Sequence, residues 1–337
     1  MIAPPGQTGL SVVREATQAG EVRRAALALA EDCRFPETAA SNLAIVVTEL
    51  ATNLVRHARG GEILLTACDE VAEAAIDVLS VDAGPGMSDV SRCLQDGFST
   101  AGTPGGGLGA VRRLAQEFDL HSERGKGTVV FARLYAGERA TGAKLQYAGI
   151  RLPLASETEC GDAWSVMAGN GHASFLVADG LGHGPLAATA SRTAVRTFRA
   201  GADRQPADVM QTLHLALRST RGAAAGLARV DFASGEIRFC GVGNTSFVLA
   251  GSGRQQQMVS HNGTLGHQAT RFHEFSYPWN NGNVLVMHSD GLSARWDASR
   301  YPGLLARHPG VIAGVLYRDF RRTRDDVSVL VARTSHA

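Results

Sequence analysis

Residues 177–184 read Val-Ala-Asp-Gly-Leu-Gly-His-Gly, and this stretch decides how we expect the second half of the chain to fold. The apolar run at residues 174–178 is typical of a buried strand, and a helix is predicted over residues 185–199. The glycines between them are typical of a turn. The pattern therefore predicts that Asp179 lies where a buried strand ends, beside a turn that leads into a helix.

Further acidic residues stand beside apolar, strand-like runs, and they are Asp162, Asp290 and the pair Asp325–Asp326. A single Asp-Gly is a common turn without function, whereas four such stretches in this order favour a shared site. Because clustered carboxylates repel one another, we expect cations between them. Ligand sets made only of oxygen favour Mg²⁺ or Mn²⁺ over zinc. Two such ions can generate hydroxide and hold a phosphoryl group, so these residues predict a two-cation phosphoryl site.

The rest of the second half predicts a strand-rich α+β domain. The predicted strands are residues 174–178, 237–240, 247–250, 284–288 and 327–332. A second helix is predicted over residues 207–218. Small and polar residues at 136–144 are typical of a linker, so we place the two domains at residues 1–135 and 145–337.

The first half centres on a helix predicted over residues 38–58. Glu49, Asn53 and His57 are spaced four apart, so they project from one stripe of that helix. A neighbouring stripe of valine and leucine residues is expected to face the core. An acid and an amide one turn apart suit a site that holds a metal ion and a polar substrate group.

Two glycine-containing stretches complete this candidate site. Strands predicted at residues 62–68 and 74–81 bring Asp82 to a strand end, ahead of Gly84 and Gly86. An ionised carboxylate there can accept a hydrogen bond from the amine of adenine, whereas guanine presents an oxo group. Further along, the stretch from Gly105 to Gly109 leads into a helix predicted over residues 108–117, and a strand is predicted over 127–134. Exposed N–H groups and the positive end of that helix favour a phosphate cradle.

In this order, the stretches of the first half resemble the GHKL (Bergerat-fold) ATP-binding superfamily, specifically serine kinases of the RsbT/RsbW type, over roughly residues 10–135. The resemblance implies ATP and Mg²⁺ as cofactors and Asn53 as a ligand of Mg²⁺. It implies that Glu49 is catalytic, as the general base or as the group that orients the attacking hydroxyl. It also implies that residues 87–104 form a lid over the nucleotide. The implied cofactor-binding residues are Asn53, His57, Asp82, Gly84, Gly86, Gly105, Gly106, Gly107, Leu108, Gly109 and Thr128.

The second half resembles the PPM-type metal-dependent serine/threonine phosphatases of the SpoIIE/RsbX branch, over about residues 145–334. The resemblance implies two Mg²⁺ or Mn²⁺ ions, with Asp179 as the catalytic residue that bridges them. The arginine that binds phosphate near the start of many larger PPM enzymes has no clear counterpart here. The implied metal ligands are Asp162, Asp179, Gly180, Asp290, Asp325 and Asp326, and the alternative for Asp326 is that it only supports the site.

Together the resemblances imply a two-domain α/β chain. The N-terminal domain is expected to be a Bergerat-type α/β sandwich with helices on a mixed sheet. The C-terminal domain is expected to be a PPM-type β-sandwich flanked by helices. The two halves show no internal repeat of one another.

Composition narrows the class of protein further. The 337 residues are 44% hydrophobic and 19% charged with a net charge of +1, which is typical of a globular protein and gives no basis for nucleic-acid binding. No run of about 18 apolar residues and no signal-peptide pattern are present, so neither a membrane partner nor secretion is expected. Five scattered cysteines predict neither disulfides nor zinc, and the expected location is the cytoplasm.

We therefore expect a bifunctional switch regulator, an ATP-dependent protein serine/threonine kinase joined to an opposing metal-dependent phosphatase. By resemblance, its substrates are STAS-type antagonist or scaffold proteins in a bacterial partner-switching pathway of the stress response. Sigma-factor pathway components are further candidate partners. The alternative is a nucleotide-dependent anti-sigma or partner-binding regulator whose only catalytic activity is the phosphatase. In a third interpretation the first domain only senses ATP. Glu49 favours the kinase, because a pure binder does not need it.

Overall fold

The structure is a computed structural model in which residues 6–68, 74–94, 107–137, 144–169, 171–251 and 254–335 are described. The chain forms two compact units, Met1–Gly142 with Gly310–Arg318, and Ala143–Pro309 with Asp319–Ala337. The proposed linker at 136–144 falls mostly outside the described residues, so its position stays a prediction. One segment differs from the proposed division, because Gly310–Arg318 groups with the first unit.

The first unit alternates helices with strands. In chain order its elements are β1 (Thr8–Val13), α1 (Ala16–Asp32), α2 (Glu37–Asn53), a π-helical turn (Leu54–Ala58), β2 (Gly61–Cys68), β3 (Ala75–Val81), α3 (Val90–Cys93), α4 (Gly107–Leu114), β4 (Glu117–Glu123) and β5 (Gly127–Tyr135).

The strands of the first unit form one sheet in the order β1-β2-β3-β5-β4. The expected arrangement of helices on a sheet is confirmed. The expectation of a mixed sheet is wrong, because every neighbouring pair is antiparallel. The reason lies partly in the connections. β2 and β3 follow each other in the chain, as β4 and β5 do, and strands joined by a short connection run antiparallel.

Helices α1 and α2 cover one face of this sheet. The apolar stripe of α2 is buried, and Val46, Leu50 and Leu54 pack in one cluster with Ile63 and Val130. By length and composition alone, Glu37–Ala58 could also cross a membrane. Its burial in the core accounts for that composition. The helix differs from the prediction at its end, where a π-helical turn replaces the last α-helical turn.

The opposite face of the sheet carries buried charges. Arg133 of β5 donates hydrogen bonds to both carboxylate oxygens of Asp77 on β3, at 2.5 and 2.7 Å, and Tyr135 donates to Glu117 on β4 at 2.5 Å. Gly310–Arg318 packs on this face, where Gly310 leaves no room for a Cβ beside the ring of Phe131. Charges this deeply buried are tolerated because they are paired.

The second unit is rich in strands. In chain order its elements are β6 (Leu145–Leu152), β7 (Asp162–Ala168), β8 (His172–Gly180), α5 (Pro185–Arg199), α6 (Pro206–Ala216), a 3₁₀ turn (Leu217–Ser219), β9 (Ala223–Asp231), β10 (Glu236–Val242), β11 (Ser246–Gly251), β12 (Arg254–Gln257), β13 (Ser260–His261), β14 (Phe275–Pro278), β15 (Val284–His288), two 3₁₀ turns (Ala298–Arg300 and Leu304–Ala306) and β16 (Val327–Thr334). The helix α7 (Pro309–Phe320) precedes β16, and most of it groups with the first unit.

Two sheets face each other in this unit. One has the order β13-β10-β9-β8-β7 with β14 also beside β10, and the other has the order β12-β11-β15-β16-β6. They meet where the rings of Trp164 and Phe247 fill the space above Gly149 and Gly226. Helices α5 and α6 pack on the first of these sheets through side chains such as Phe198. The expected β-sandwich flanked by helices is therefore confirmed.

Candidate active sites

The first unit contains a cavity of about 570 Å³ between the end of α2, the ends of β3 and β5 and the start of α4. Most of the predicted nucleotide-site residues line it. They are Glu49, Asn53, His57, Asp82, Gly86, Gly107, Leu108 and Thr128. Gly105 and Gly106 lie outside the described residues, as does most of the predicted lid. The part of the lid that is described includes the short helix α3.

The polar stripe of α2 reaches this cavity in two parts. Glu49 and Asn53 are half-buried in regular α-helix, whereas His57 is exposed in the π-helical turn. That turn ends where the N–H of Gly60 donates to the carbonyl of Leu54 at 2.9 Å. π-Helical turns are frequent at functional sites, because the extra residue re-aims the side chains around it. The predicted spacing of four is thus interrupted, yet all three side chains line the same cavity.

Asp82 is held rigidly at the end of β3. Its Oδ1 accepts hydrogen bonds from the N–H groups of Gly84 at 2.8 Å and Thr128 at 3.1 Å. Burial raises the pKa of Asp82, and these two N–H groups and Arg318 oppose that rise. Among the described residues Oδ2 has no hydrogen-bond partner. One oxygen therefore orients the carboxylate while the other is left for a ligand.

The glycines near Asp82 serve the packing of the protein itself. Gly86 has a φ of +67°, and a Cβ there would collide with the carbonyl oxygen of Glu123. Gly127 has a φ of +84°, and a Cβ there would collide with the carbonyl oxygen of Asp82. Gly84 turns the chain over Ala58 without lining the cavity. The stretch around Gly127 was recognised in the sequence, but its role against Asp82 was not.

Two further residues differ from expectation or were missed. Gly109 is buried inside α4 and does not line the cavity. Ser122, which no sequence motif indicated, holds the wall together, because its hydroxyl lies 2.9 Å from that of Thr128 and accepts the N–H of Met87 at 2.8 Å. Met87 is 35 residues from Ser122 in the chain, so only the fold brings these two residues together.

The residues of this cavity fit a nucleotide. Gly107 begins α4 with a φ of +45°, and a Cβ there would meet no atom of the described residues within 4 Å. The positive end of a helix favours phosphate. Asp82 offers one fixed acceptor for an adenine amine, and Asn53 supplies an oxygen of the kind that Mg²⁺ accepts.

The second unit contains a cavity of about 470 Å³ at strand ends of the sandwich. Three of the predicted metal ligands line it, namely Asp179 near the end of β8, Asp290 after β15 and Asp325 before β16. Asp290 Oδ2 accepts a hydrogen bond from Asn244 at 2.7 Å. Burial raises the pKa of Asp290, and so does repulsion from Asp325.

Asp162 lies next to Asp179, because the two residues are direct partners in the antiparallel pair of β7 and β8. Asp162 is 2% exposed, and its Oδ2 is buried with no hydrogen-bond partner among the described residues. Burial, together with repulsion from Asp326 and Asp325, raises the pKa of Asp162 to about 7. Burial and repulsion from Asp162 and Asp290 hold the pKa of Asp179 well above its usual range.

Asp326 has a different environment from the other acids. Its Oδ1 accepts the N–H of Leu154 at 2.7 Å and its Oδ2 accepts the N–H of Gly161 at 2.8 Å. It is 2% exposed and does not line the cavity. This arrangement favours a positioning role, because the carboxylate ties the segment that precedes Asp162 to the start of β16. Its predicted role as a metal ligand remains untested.

The residues fit divalent cations by charge and by donor type. No three His, Cys, Asp or Glu side chains of the described residues form a metal-binding group as they stand. The two-ion ligand set therefore stays a prediction. The unpartnered Oδ2 of Asp162 and the mutual repulsion among the acids are what cations would relieve. Gly180 is buried beside these acids. A larger residue does not fit at this position, because a Cβ would collide with the carbonyl oxygen of Ala187.

Two other cavity residues stand out. His183 Nδ1 lies 2.6 Å from Glu157 Oε1, so a carboxylate orients the ring. Arg324 also lines the cavity, and sequence reasoning missed it. Its only sequence signal is its place directly before Asp325.

Comparisons with known proteins agree with the family expected for each domain. The histidine kinase-like ATPase domain family matches residues 12–134, and the stage II sporulation protein E (SpoIIE) family matches residues 169–335. The serine/threonine-protein kinase RsbT of Bacillus subtilis (strain 168) is 33% identical over 104 residues, which are 31% of this chain and 78% of RsbT. The phosphoserine phosphatase RsbX of the same organism is 27% identical over 135 residues, which are 40% of this chain and 68% of RsbX.

Solved structures support the fold of the second unit. A crystal structure of RsbX in complex with magnesium is similar with a TM-score of 0.50 and 21% identity, over 59% of this chain and 98% of that one. A structure from work on the bacterial stressosome is similar with a TM-score of 0.53 and 29% identity. That work describes the stressosome as a modular system that has been adapted to control secondary messenger signaling. The match covers 56% of this chain and 100% of that one. The chain therefore joins two families: its first unit is a histidine kinase-like ATPase domain of the RsbT/RsbW kinase type, and its second is a SpoIIE-family, PPM-type protein serine/threonine phosphatase domain.

Proposed function

We propose that this protein is a cytoplasmic bifunctional switch regulator that phosphorylates and dephosphorylates serine or threonine on STAS-type partners in a bacterial partner-switching pathway. The observation that carries the proposal is the presence of two separate cavities, one lined by Glu49, Asn53 and Asp82 and the other by Asp179, Asp290 and Asp325. Support also comes from relatives, because RsbT is named as a serine/threonine-protein kinase and RsbX as a phosphoserine phosphatase.

In the first cavity, the proposed cofactor is ATP with Mg²⁺. Asp82 reads adenine through the oxygen that the protein leaves unpaired, and Thr128 assists beside it. Asn53 helps to hold Mg²⁺, and Glu49 accepts the proton of the attacking hydroxyl. Bound Mg²⁺ would neutralise charge on the transferred phosphoryl group, and the contribution of the protein is mainly positioning.

In the second cavity, the proposed cofactors are two Mg²⁺ or Mn²⁺ ions. Asp179 would hold both ions, and the proposed further ligands are Asp162, Asp290, Asp325 and the carbonyl of Gly180. Bound ions of this kind would supply a hydroxide nucleophile and stabilise charge on the phosphoryl group. The residues of the chain hold these acids at strand ends, where neighbouring strands fix their relative positions.

Glu49 is the residue that separates the kinase from the alternative function, a nucleotide-dependent binding regulator. It is half-buried and lines the nucleotide cavity. A binding protein has no use for a base at that position. The location of Glu49 therefore favours phosphoryl transfer over binding alone.

The test follows phosphate on and off a candidate STAS-domain protein by intact-protein mass spectrometry. The full chain is incubated with that protein, ATP and Mg²⁺ or Mn²⁺. Glu49→Ala is expected to bind ATP but to add no phosphate, and Glu37→Ala, an exposed acid in the first turn of α2, is its control. Asp179→Ala is expected to remove no phosphate from the partner. Asp208→Ala, which replaces an exposed acid of α6, is its control.

The outcomes separate the alternatives. Phosphate addition that survives Glu49→Ala would contradict the proposed role of this residue. ATP-dependent capture of the partner without any phosphate transfer by the wild type would favour the binding regulator. Phosphate removal that survives Asp179→Ala would contradict the two-ion centre.

A further inference from the structure

The phosphatase cavity contains a guanidinium group that the ligand set does not use. Arg324 lines this cavity, is exposed, and makes no hydrogen bond or ion pair with any of the described residues. It directly precedes Asp325, so the backbone that positions a predicted metal ligand also positions Arg324. A long cationic side chain with no partner, held at the wall of a reaction cavity, is available to a ligand.

Neighbouring arginines show that this state is particular to Arg324. Arg322 donates from Nη1 to the carbonyl oxygen of Asp290 at 3.0 Å, and its backbone N–H donates to Gly291 at 2.8 Å. Arg321 pairs with Leu292 in an isolated β-bridge. These two residues therefore hold the loop that carries Asp290. Among the described residues that line the cavity, Arg324 is the one arginine. Its guanidinium makes no hydrogen bond or ion pair with another described residue.

The charges of the cavity indicate what Arg324 would bind. Three carboxylates line it, from Asp179, Asp290 and Asp325, and they favour cations. A phosphomonoester brings about two negative charges, which those carboxylates alone would repel. A guanidinium is planar and can donate two parallel hydrogen bonds to phosphate oxygens. Asn262 and Thr264 line the same cavity and add neutral polar groups.

We propose that Arg324 binds the phosphate group of the phosphoserine or phosphothreonine substrate, and so supplies from the C-terminal side of the domain the cation that the sequence lacks near its start. The inference rests on the proposed phosphatase function. It assigns to Arg324 a substrate-binding role that none of the predicted ligands fills.

The test uses the full-length protein with Mn²⁺, with p-nitrophenyl phosphate as substrate and inorganic phosphate as competitive inhibitor. Arg324→Ala is expected to raise both KM and the inhibition constant of phosphate by at least about tenfold, which corresponds to about 1.4 kcal/mol. The turnover number at saturating substrate is expected to fall less. Arg324→Lys keeps the charge but loses the two-pronged geometry, so it is expected to be intermediate.

A matched control and a binding measurement complete the experiment. Arg254→Ala removes an exposed arginine of β12 in the same unit, and its constants are expected to equal those of the wild type. Calorimetric titration of inorganic phosphate in Mn²⁺ needs no turnover, and Arg324→Ala is expected to weaken that binding. Phosphate binding and KM within twofold of wild type in Arg324→Ala would overturn the inference, as would equal losses in Arg254→Ala. If the wild-type protein shows no Mn²⁺-dependent hydrolysis, that result would instead contradict the proposed function.

Discussion

Replacing Asp326 with alanine is expected to destabilise the second unit even when no divalent cation is present. Asp326 is 2% exposed, and its carboxylate accepts the N–H groups of Leu154 and Gly161. These donors flank the segment that leads to Asp162. A side chain that acted only through metal coordination would leave stability unchanged in the absence of metal.

The magnitude follows from the two hydrogen bonds. A hydrogen bond to a charged group contributes about 1.5–3 kcal/mol, and the alanine variant loses both. Removing the carboxylate also relieves its burial and its repulsion with Asp325, which are causes of the raised pKa of Asp326. The net loss is therefore smaller than the sum of the two bonds. We expect the free energy of unfolding to fall by about 2–4 kcal/mol.

Urea unfolding in EDTA, followed by tryptophan fluorescence, measures this loss. The three tryptophans, Trp164, Trp279 and Trp296, all belong to the second unit, so their emission reports on that unit. With a urea dependence of about 1–3 kcal/mol per molar, the midpoint is expected to fall by about 1 M or more. Asp325→Ala is the matched control, because it removes a carboxylate that lines the cavity and accepts one N–H, from Asp326. Its expected loss is about 1 kcal/mol.

Two results would refute this reasoning. An unchanged urea midpoint for Asp326→Ala in EDTA, accompanied by loss of Mn²⁺-stimulated hydrolysis, would mean that Asp326 acts as a metal ligand. Equal losses for Asp325→Ala and Asp326→Ala would mean that the two backbone hydrogen bonds are not what distinguishes them.

Three more outcomes follow from the structure. Gly127→Ala would place a Cβ against the carbonyl oxygen of Asp82 at a φ of +84°, so we expect a stability loss of about 1–3 kcal/mol and a smaller thermal shift on adding ATP. Arg133→Met would leave Asp77 and Glu117 buried without their cation, and we expect urea unfolding followed by circular dichroism to show a loss of about 3–5 kcal/mol. Removal of divalent cations by EDTA is expected to abolish hydrolysis of p-nitrophenyl phosphate, and added Mn²⁺ to restore it.

Apolar runs and apolar helix faces predicted those helices and strands whose signal lies within a single segment. The strand at residues 284–288 and the helix at 185–199 have the predicted bounds as β15 and α5. Each has an apolar run or an apolar face that is visible without knowledge of the partner. In the same way, the valine and leucine stripe of α2 indicated its buried side.

β4 was missed although it pairs with β5, the next strand in the chain. Residues 108–117 were predicted as helix, but α4 ends at Leu114 and β4 begins at Glu117. β4 reads as polar, and yet Glu117 and His121 are each 7% exposed. Tyr135 on the neighbouring strand donates a hydrogen bond to Glu117. The apolar alternation of this strand is limited to Phe118 and Leu120, so its sequence does not identify it.

The candidate sites divide in the same way. Motifs placed Asp82 and Asp179 correctly at strand ends, because a strand followed by Asp-x-Gly or Asp-Gly is a local signal. Contacts between distant residues were not readable, as with Asn244 and Asp290, which lie 46 positions apart and meet at 2.7 Å. Asp326 differs from the other acids in accepting two backbone N–H groups, from Leu154 and Gly161. These donors lie about 170 residues earlier in the chain, so the sequence does not indicate them.

The two cavities differ in whether hydrogen bonds within the protein stabilise their carboxylates, and this difference bears on how each unit responds to its ligand. In the first unit, backbone N–H groups already hold one carboxylate oxygen of Asp82. In the second unit, Asp162 keeps a buried oxygen with no partner among the described residues, and its neighbours add repulsion. A ligand that binds only the folded state stabilises it in proportion to the logarithm of its concentration. We therefore expect divalent cations to change the stability of the second unit more than ATP changes that of the first.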